Sequence, residues 1–182
     1  MTGEEVMLAN GLPESASSFA VQSLQCEGYH GAVGTDLSET ELRAWQALLH
    51  AHDQVIRKLD AELRAEHGLP LGAYDVLLRL ARAPGRCLRM TELAERVMMS
   101  PSGLTRMVDR LVGEGLVQRE RIEGDARVML ARLTDRGRQV LRRAARTHLR
   151  GIREHFTGRL SQAQLRNVAA ALEAITGPHR PH

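Results

Sequence analysis

Residues 90–137 read MTELAERVMMSPSGLTRMVDRLVGEGLVQRERIEGDARVMLARLTDRG, and the fold turns on this stretch. Thr91 reads as the cap of a helix running to about Met98, with Leu93, Ala94 and Val97 facing inward. Ser100 followed by Pro101 opens a second helix, because serine can accept an orphan N-terminal N–H and proline at the first helical position gives none up. Leu104, Val108 and Leu111 are spaced to form its buried face, and Gly113 to Gly115 ends it. Two helices this close in sequence have the spacing of a helix-turn-helix. Two β-rich runs follow, Leu116 to Ile122 and Arg127 to Leu133. They flank Glu123-Gly124-Asp125-Ala126, where Gly124-Asp125 signals the turn of a hairpin.

Working outward, a short Cys87 to Met90 strand precedes this unit. Before it lies a helix of about Leu71 to Ala83, with Tyr74, Leu77, Leu78 and Ala81 on one face, stopped by Pro84-Gly85. Further upstream, Leu42, Trp45, Leu49, His52, Ile56, Leu59 and Leu63 recur at alternating spacings of three and four. This is a heptad seam on a long helix opened by Ser38 with Glu41 three residues on, and stopped near Gly68 and Pro70. Downstream, Thr134 caps a long helix on which Val140 or Leu141, Ala145, His148 or Leu149, Ile152 and Phe156 keep helical spacing to about Thr157. Ser161 caps the last helix, with Leu165, Val168, Leu172 and Ile175 inward. The expected fold is mainly α with a small β-hairpin wing: a winged helix-turn-helix between long N- and C-terminal dimerisation helices. The divisions fall at 1–36, an acidic and flexible extension; 37–70, the first dimerisation helix; 71–133, the winged lobe; 134–176, the C-terminal dimerisation helices; and 177–182, a tail.

Charge separates sharply along the chain. All 25 Lys and Arg residues lie after residue 42, whereas seven of the 22 acids precede Arg43, so a head of −7 is followed by a body of +10. Residues 79–150 hold 17 arginines against eight acids, a surplus that would attract a polyanion. Two cysteines, Cys26 and Cys87, make neither a disulfide framework nor a metal-binding pair, which suits a reducing compartment. No signal peptide or membrane span is legible, so a cytoplasmic, nucleoid-associated protein is expected. Nor do GxSxG, Walker, Rossmann or metal-hydrolase patterns occur, which argues against an enzyme and against a resident cofactor.

With Leu104, Val108 and Leu111 inward, Ser102, Gly103, Thr105, Arg106, Asp109 and Arg110 face out, forming a small polar tip with two arginines that fits a DNA major groove. Ser102, Thr105 and Arg106 are the base-reading candidates, Arg110 a phosphate contact, and Ser100 the cap beside them. On the wing, Arg127 sits at the hairpin tip within reach of a minor groove, and Asp125 can hold its guanidinium. Arg119, Arg121 and Arg132 are either phosphate contacts or plain surface. Arg138, Arg142, Arg143 and Arg146 solvate the outer face of their helix, the first of them also able to touch the DNA backbone.

The chain resembles the MarR family of dimeric winged-helix transcription regulators over roughly residues 38–176. The resemblance rests on Asp125-x-Arg127, followed after five residues by Leu133-Thr134-x-x-Gly137, on Met90-Thr91-Glu92-Leu93-Ala94, and on the run Pro101 to Leu111 closing with Gly115-Leu116-Val117. It implies double-stranded DNA as partner and the wing roles given above. It also implies a homodimer built by the first and last two helices, with Leu42, Trp45, Leu49, Ile56, Phe156, Leu165, Val168 and Leu172 in core or interface. It further implies a repressor on a pseudo-palindromic operator, released by a small aromatic or phenolic effector. Candidate effector residues are Trp45, His52, Tyr74, Asp75, Arg82 and Arg106. Asp75, Arg82 and Arg106 are similar to the set of the urate-responsive branch, although that branch carries a tryptophan in its N-terminal extension and this sequence does not; Asp75 and Arg82 also read as an ion pair bracing the lobe. Alternatives are a protein-interaction module, a redox sensor using Cys87 or Cys26, or a zinc sensor drawing on His50, His52, His67, His148 and His155, for which no close-set ligand pattern exists.

Overall fold

In the computed structural model the described residues are 37–177, except residue 98 and residues 123–124, with backbone alone at 122 and 125–127. The acidic extension, Cys26 and the tail after residue 177 lie outside them. The chain divides into two compact units, residues 1–54 and Val55–His182. Of the first, the described part is the opening half of helix α1.

Helix α1 spans Glu39–His67. Its start is the expected reciprocal cap: Glu41 Oε2 accepts the Ser38 N–H at 2.7 Å, and Ser38 Oγ accepts the Glu41 N–H at 3.3 Å. The Ser38 hydroxyl, donating to Glu41 Oε2 at 2.6 Å, and then the Ser38 N–H hold the Glu41 carboxyl below its ordinary range. Gly68, at φ +62°, ends the helix in the left-handed region. Helix α2, Leu71–Arg82, follows Pro70, which has no side chain able to cap. Asp60 Oδ1 of α1 supplies the missing acceptor, taking the Leu71 N–H at 2.8 Å.

A 3₁₀ turn at Pro84–Arg86 leads to β1, Cys87–Arg89, then α3, Met90–Val97. The expected cap at Thr91 is corrected here, since Thr91 lies inside α3 and Glu92 Oε2 accepts the Arg89 N–H at 3.3 Å. The helix therefore starts two residues earlier than a Thr91 cap would place it, and the strand ends at Arg89. Helix α4, Pro101–Gly113, is capped by Ser100 as expected, with Leu104, Val108 and Leu111 buried. It ends in a Schellman motif: Leu116 N–H bonds to Leu111 C=O and Gly115 N–H to Val112 C=O, both at 2.9 Å, with Gly115 at φ +69°.

Strands β2, Val117–Ile122, and β3, Asp125–Leu133, form the hairpin, and β1 adds to its other edge in the order β1-β3-β2. Val117 pairs with Leu133 and Arg121 with Met129, after which the register jumps so that Ile122 pairs with Asp125. The strand thus begins two residues before the expected Arg127, so the backbone of Asp125 and Ala126 belongs to β3 rather than to the turn. Leu77, Leu80, Leu93, Leu104, Leu111 and Val117 are fully enclosed between α2, α3, α4 and the sheet.

Helix α5, Asp135–His155, is capped by Thr134, whose Oγ1 accepts the Gly137 N–H at 2.9 Å. Its buried stripe is Gly137, Leu141, Ala144, Thr147 and Gly151, so Leu141 rather than Val140 faces inward, and Leu149 is 63% exposed. Ala145 and Ile152 are half-buried and Phe156 is at the edge of exposure. A 3₁₀ turn, Thr157–Arg159, precedes α6, Gln162–Thr176, which opens with the Ser161–Gln164 capping box. No described residue of α6 is buried: Leu165 and Val168 are half-covered, Leu172 is exposed, and Ile175 is 76% exposed. In the first unit, Trp45 and Leu48 are likewise exposed.

Gly137 explains the Leu-Thr-x-x-Gly pattern physically. A Cβ at this position would lie 2.1 Å from the Leu116 carbonyl oxygen and 2.8 Å from Leu133 Cδ1. Neither obstacle is the free end of a flexible chain, because the carbonyl is backbone and Leu133 is buried. Gly137→Ala is therefore expected to destabilise the protein by about 1–3 kcal/mol, as overpacking does. Urea denaturation monitored by circular dichroism measures this, and an unchanged midpoint would contradict the packing described.

Candidate functional site

The outer face of α4 carries Ser102, Thr105, Arg106, Asp109 and Arg110, all exposed, with Gly103 half-buried and the capping Ser100 exposed. At its N-terminus, Ser100 Oγ accepts the Gly103 N–H at 3.2 Å and lies 3.4 Å from Ser102 Oγ. Thr105 Oγ1 donates to the Pro101 carbonyl at 2.8 Å, so towards a partner it presents lone pairs and a methyl group. Arg106 projects from the same face without an ion pair among the described residues. Arg110 Nε is 2.8 Å from Glu114 Oε1, one helical turn on, in a half-exposed pair.

Two wing arginines have roles that periodicity did not reveal. Arg119 of β2 places Nη1 2.6 Å from Asp109 Oδ1 of α4, and its Nη2 donates to the Thr105 carbonyl at 3.4 Å. Arg132 of β3 grips Glu120 with two bonds, of 2.5 and 2.9 Å, while its Nη1 donates to the Gly85 carbonyl at 2.8 Å. That grip holds the Glu120 carboxyl below the usual carboxylate range. Arg119 and Arg132 therefore brace the wing rather than standing as plain surface. Arg121 and Arg138 remain exposed. The side chains of Asp125 and Arg127 lie outside the described residues.

A cleft of about 470 Å³ is lined by Ile56, Asp60, Leu71, Gly72, Tyr74, Asp75, Leu78 and His148. The Tyr74 and His148 rings stack with centroids 4.5 Å apart, tilted by 38°. Burial pushes the Tyr74 hydroxyl up, against the nearby Arg82 charge, and pushes the His148 imidazole down, against Asp75. Both rings are thereby favoured in their neutral forms. His148 Nδ1 is buried with no hydrogen-bond partner among the described residues.

Tyr74 and Asp75 are thus on the cleft, whereas Arg82 and Arg106 do not line it. Trp45 and His52 are exposed on the stretch of α1 before Val55. The expected Asp75–Arg82 pair is corrected to Asp75–Arg79, at 3.2 Å. Four residues along a helix is one turn and seven is two, so the nearer arginine wins. His148, Ile56, Asp60, Leu71 and Leu78 were missed because their convergence depends on packing between helices distant in sequence.

Cys87 and the described histidines, on which the other sensing alternatives rest, have separate surroundings. Cys87 is half-buried and burial pushes its thiol up, Arg132 opposing, which is the setting of a structural thiol rather than a reactive thiolate. The histidines also go separate ways: His67 Nε2 lies 2.8 Å from Thr147 Oγ1, His148 stacks on Tyr74, and His155 Nε2 lies 2.5 Å from Glu62 Oε1.

The buried state of His148 has a measurable consequence. With its folded value depressed, the unfolded chain binds more protons as pH falls through the ordinary histidine range, so this residue destabilises the fold on acidification. Between about pH 7.5 and 5.5, His148→Gln should lose less unfolding free energy than the wild type. Parallel pH–stability curves for the two proteins would refute the assignment.

A sequence model described as MarR family matches residues 67–128. Among solved structures, AbsC, a MarR family transcriptional regulator from Streptomyces coelicolor, is 32% identical, with a TM-score of 0.71 over 77% of this chain and 94% of its own. Sco3205, also a MarR family regulator from Streptomyces coelicolor and solved in complex with DNA, is 34% identical, with a TM-score of 0.72 over 80% of this chain and 94% of its own. MarR of Escherichia coli, complexed with operator DNA, shares the fold at 22% identity, with a TM-score of 0.66 over 78% of this chain and 99% of its own. No curated relative matches the sequence.

Proposed function

The chain belongs to the MarR family of transcription regulators, which are not enzymes, and we propose that it acts as a homodimeric repressor released from its operator by a small ligand. The observation that carries the DNA-binding part is the outer face of α4. It is a capped helix N-terminus with small polar side chains and Arg106 extended and unpaired among the described residues. Sco3205, solved in complex with DNA, supports DNA as the partner.

In this reading α4 enters the major groove. Ser102 and Thr105 read base edges, and Arg106 takes a guanine through O6 and N7. The open N–H groups in the first turn of α4 and the guanidinium of Arg110 meet phosphates. Arg127, steadied by Asp125, enters the adjoining minor groove. No helix among the described residues is long and apolar enough to cross a membrane.

A homodimer is supported by the apolar surface that one chain leaves open on α6, at Leu172 and Ile175, and on the first half of α1, at Trp45 and Leu48. Two recognition helices related by a two-fold axis would then read a pseudo-palindrome, lengthening a site too short for one helix to specify. The effector reading rests on the cleft, where two neutral rings and the apolar Ile56, Leu71 and Leu78 suit a small aromatic or phenolic compound.

Fluorescence polarisation with duplex DNA from the protein's own upstream region tests the reading. Binding should weaken steeply with salt. Arg106→Ala should lose about 1–3 kcal/mol and relax preference at one base pair, whereas Arg127→Ala should weaken binding with the dimer intact by size-exclusion chromatography. Salt-insensitive binding, or affinities unchanged in both variants, would remove the regulator assignment from these residues.

A further inference from the structure

The junction of α1 and α5 holds a polar cluster that DNA binding does not use. Glu62, Glu154 and His155 each offer one potential ligand atom, and these atoms lie within 4.8 Å of one another. The His155 side chain is only 9% exposed, with Nε2 2.5 Å from Glu62 Oε1. Two atoms of the cluster, Glu62 Oε2 and His155 Nδ1, are buried without a hydrogen-bond partner among the described residues. We infer that Glu62, Glu154 and His155 form a binding site for one divalent first-row transition-metal ion.

Four observations carry this inference. First, Glu62 Oε2 is buried without a partner among the described residues, which leaves its desolvation uncompensated, and a cation removes that cost directly. Second, space for the Glu62 carboxylate is built into α5: a Cβ on Gly151 would lie 2.6 Å from Glu62 Oε2, so the carboxylate rests where any other residue would displace it. Third, the neighbouring acid is already satisfied. Glu66 accepts a hydrogen bond from Thr147 and pairs with Arg150, leaving Glu62 to the cluster. Fourth, the donor set is balanced, since two carboxylates offset the charge of a dication.

The imidazole nitrogen favours zinc, iron, nickel or copper over magnesium or calcium. Three protein ligands leave one tetrahedral position for water.

Ligands around tetrahedral zinc, each about 2.0–2.2 Å from the ion, stand roughly 3.4 Å apart. His155 Nε2 and Glu62 Oε1, 2.5 Å apart, stand closer than that, so an ion entering between them parts the two groups by about 1 Å. Glu154 is exposed, so its side chain is free to close the third side.

The test uses the full chain, titrated with Co²⁺ and followed by its visible d–d absorption, with Zn²⁺ binding measured by calorimetry. Wild type should take one ion per chain without a thiolate charge-transfer band, and Zn²⁺ should raise its melting temperature. Glu154→Gln, at an exposed position that keeps the fold, and His155→Gln should each weaken binding on the order of 100-fold and abolish the thermal shift, with circular dichroism unchanged. His179→Gln/His182→Gln should retain both. Absence of stoichiometric binding in wild type, or unchanged affinity in Glu154→Gln and His155→Gln, would overturn the site. None of these readouts involves DNA, so they stand or fall independently of the regulator reading.

Discussion

The carbonyl of Leu116 is the point on which the DNA-facing lobe is assembled. It accepts the Thr134 N–H and lies 3.1 Å from Thr134 Oγ1, which also donates to the Gly115 carbonyl at 2.8 Å. Meanwhile the Leu116 N–H closes the last turn of α4 by bonding to Leu111. One residue thus ties the end of α4, the root of the wing and the first turn of α5. The tie requires Gly115 in the left-handed region and Gly137 without a side chain, so the two glycines act as parts of one joint.

From that joint outward, the arginine surplus divides into two populations. Arg119 and Arg132 are spent on rigidity: one links β2 to the recognition helix through Asp109, and the other links β3 to Glu120 and to the turn before β1. Arg106, Arg121 and Arg138 stay at the surface. A basic face can read DNA only if its helix and wing hold their relative positions while the charges on them repel. The paired arginines supply that stiffness, and the exposed ones supply the field.

What the sequence made legible was chiefly local. The Ser38, Ser100, Thr134 and Ser161 caps are contacts over three residues, and each stands where side-chain chemistry placed it. The buried face of α4 was equally readable, because large apolar residues at helical spacing face inward. The same rule misplaced part of α5, where Gly137, Ala144, Thr147 and Gly151 are buried and larger Leu149 is not. Close approach of helices selects small residues, and a search for bulk overlooks them. At Gly151 a Cβ would meet Leu59 as well as Glu62. The cleft was only half legible for a related reason: Tyr74 and Asp75 advertise polarity on α2, but His148 joins them only through the packing of α5.

Gly72 links the cleft to the recognition helix in the same short-range terms. It lines the cleft, yet a Cβ there would meet Met99 Cε at 2.8 Å and Met107 Cε at 3.6 Å, the latter on α4. Only a glycine's width of α2 therefore separates the cavity from two side chains at the turn and first half of the recognition unit. Methionine is unbranched and adapts to displacement, so pressure on α2 would be met first by repacking of Met99 and Met107 and only then by movement of α4. A ligand wedged beside Tyr74 and His148 must distinguish between two positions of α2 to shift α4 at all, because equal affinity for both would move nothing. The contacts available for that distinction are few: the stacked rings, the Asp75–Arg79 pair and the Asp60 carboxylate that holds the Leu71 N–H at the start of α2. Of these, Asp60 has the most leverage. It fixes the end of α2 adjacent to Gly72, and a ligand competing for its carboxylate would free the very turn that abuts the methionines.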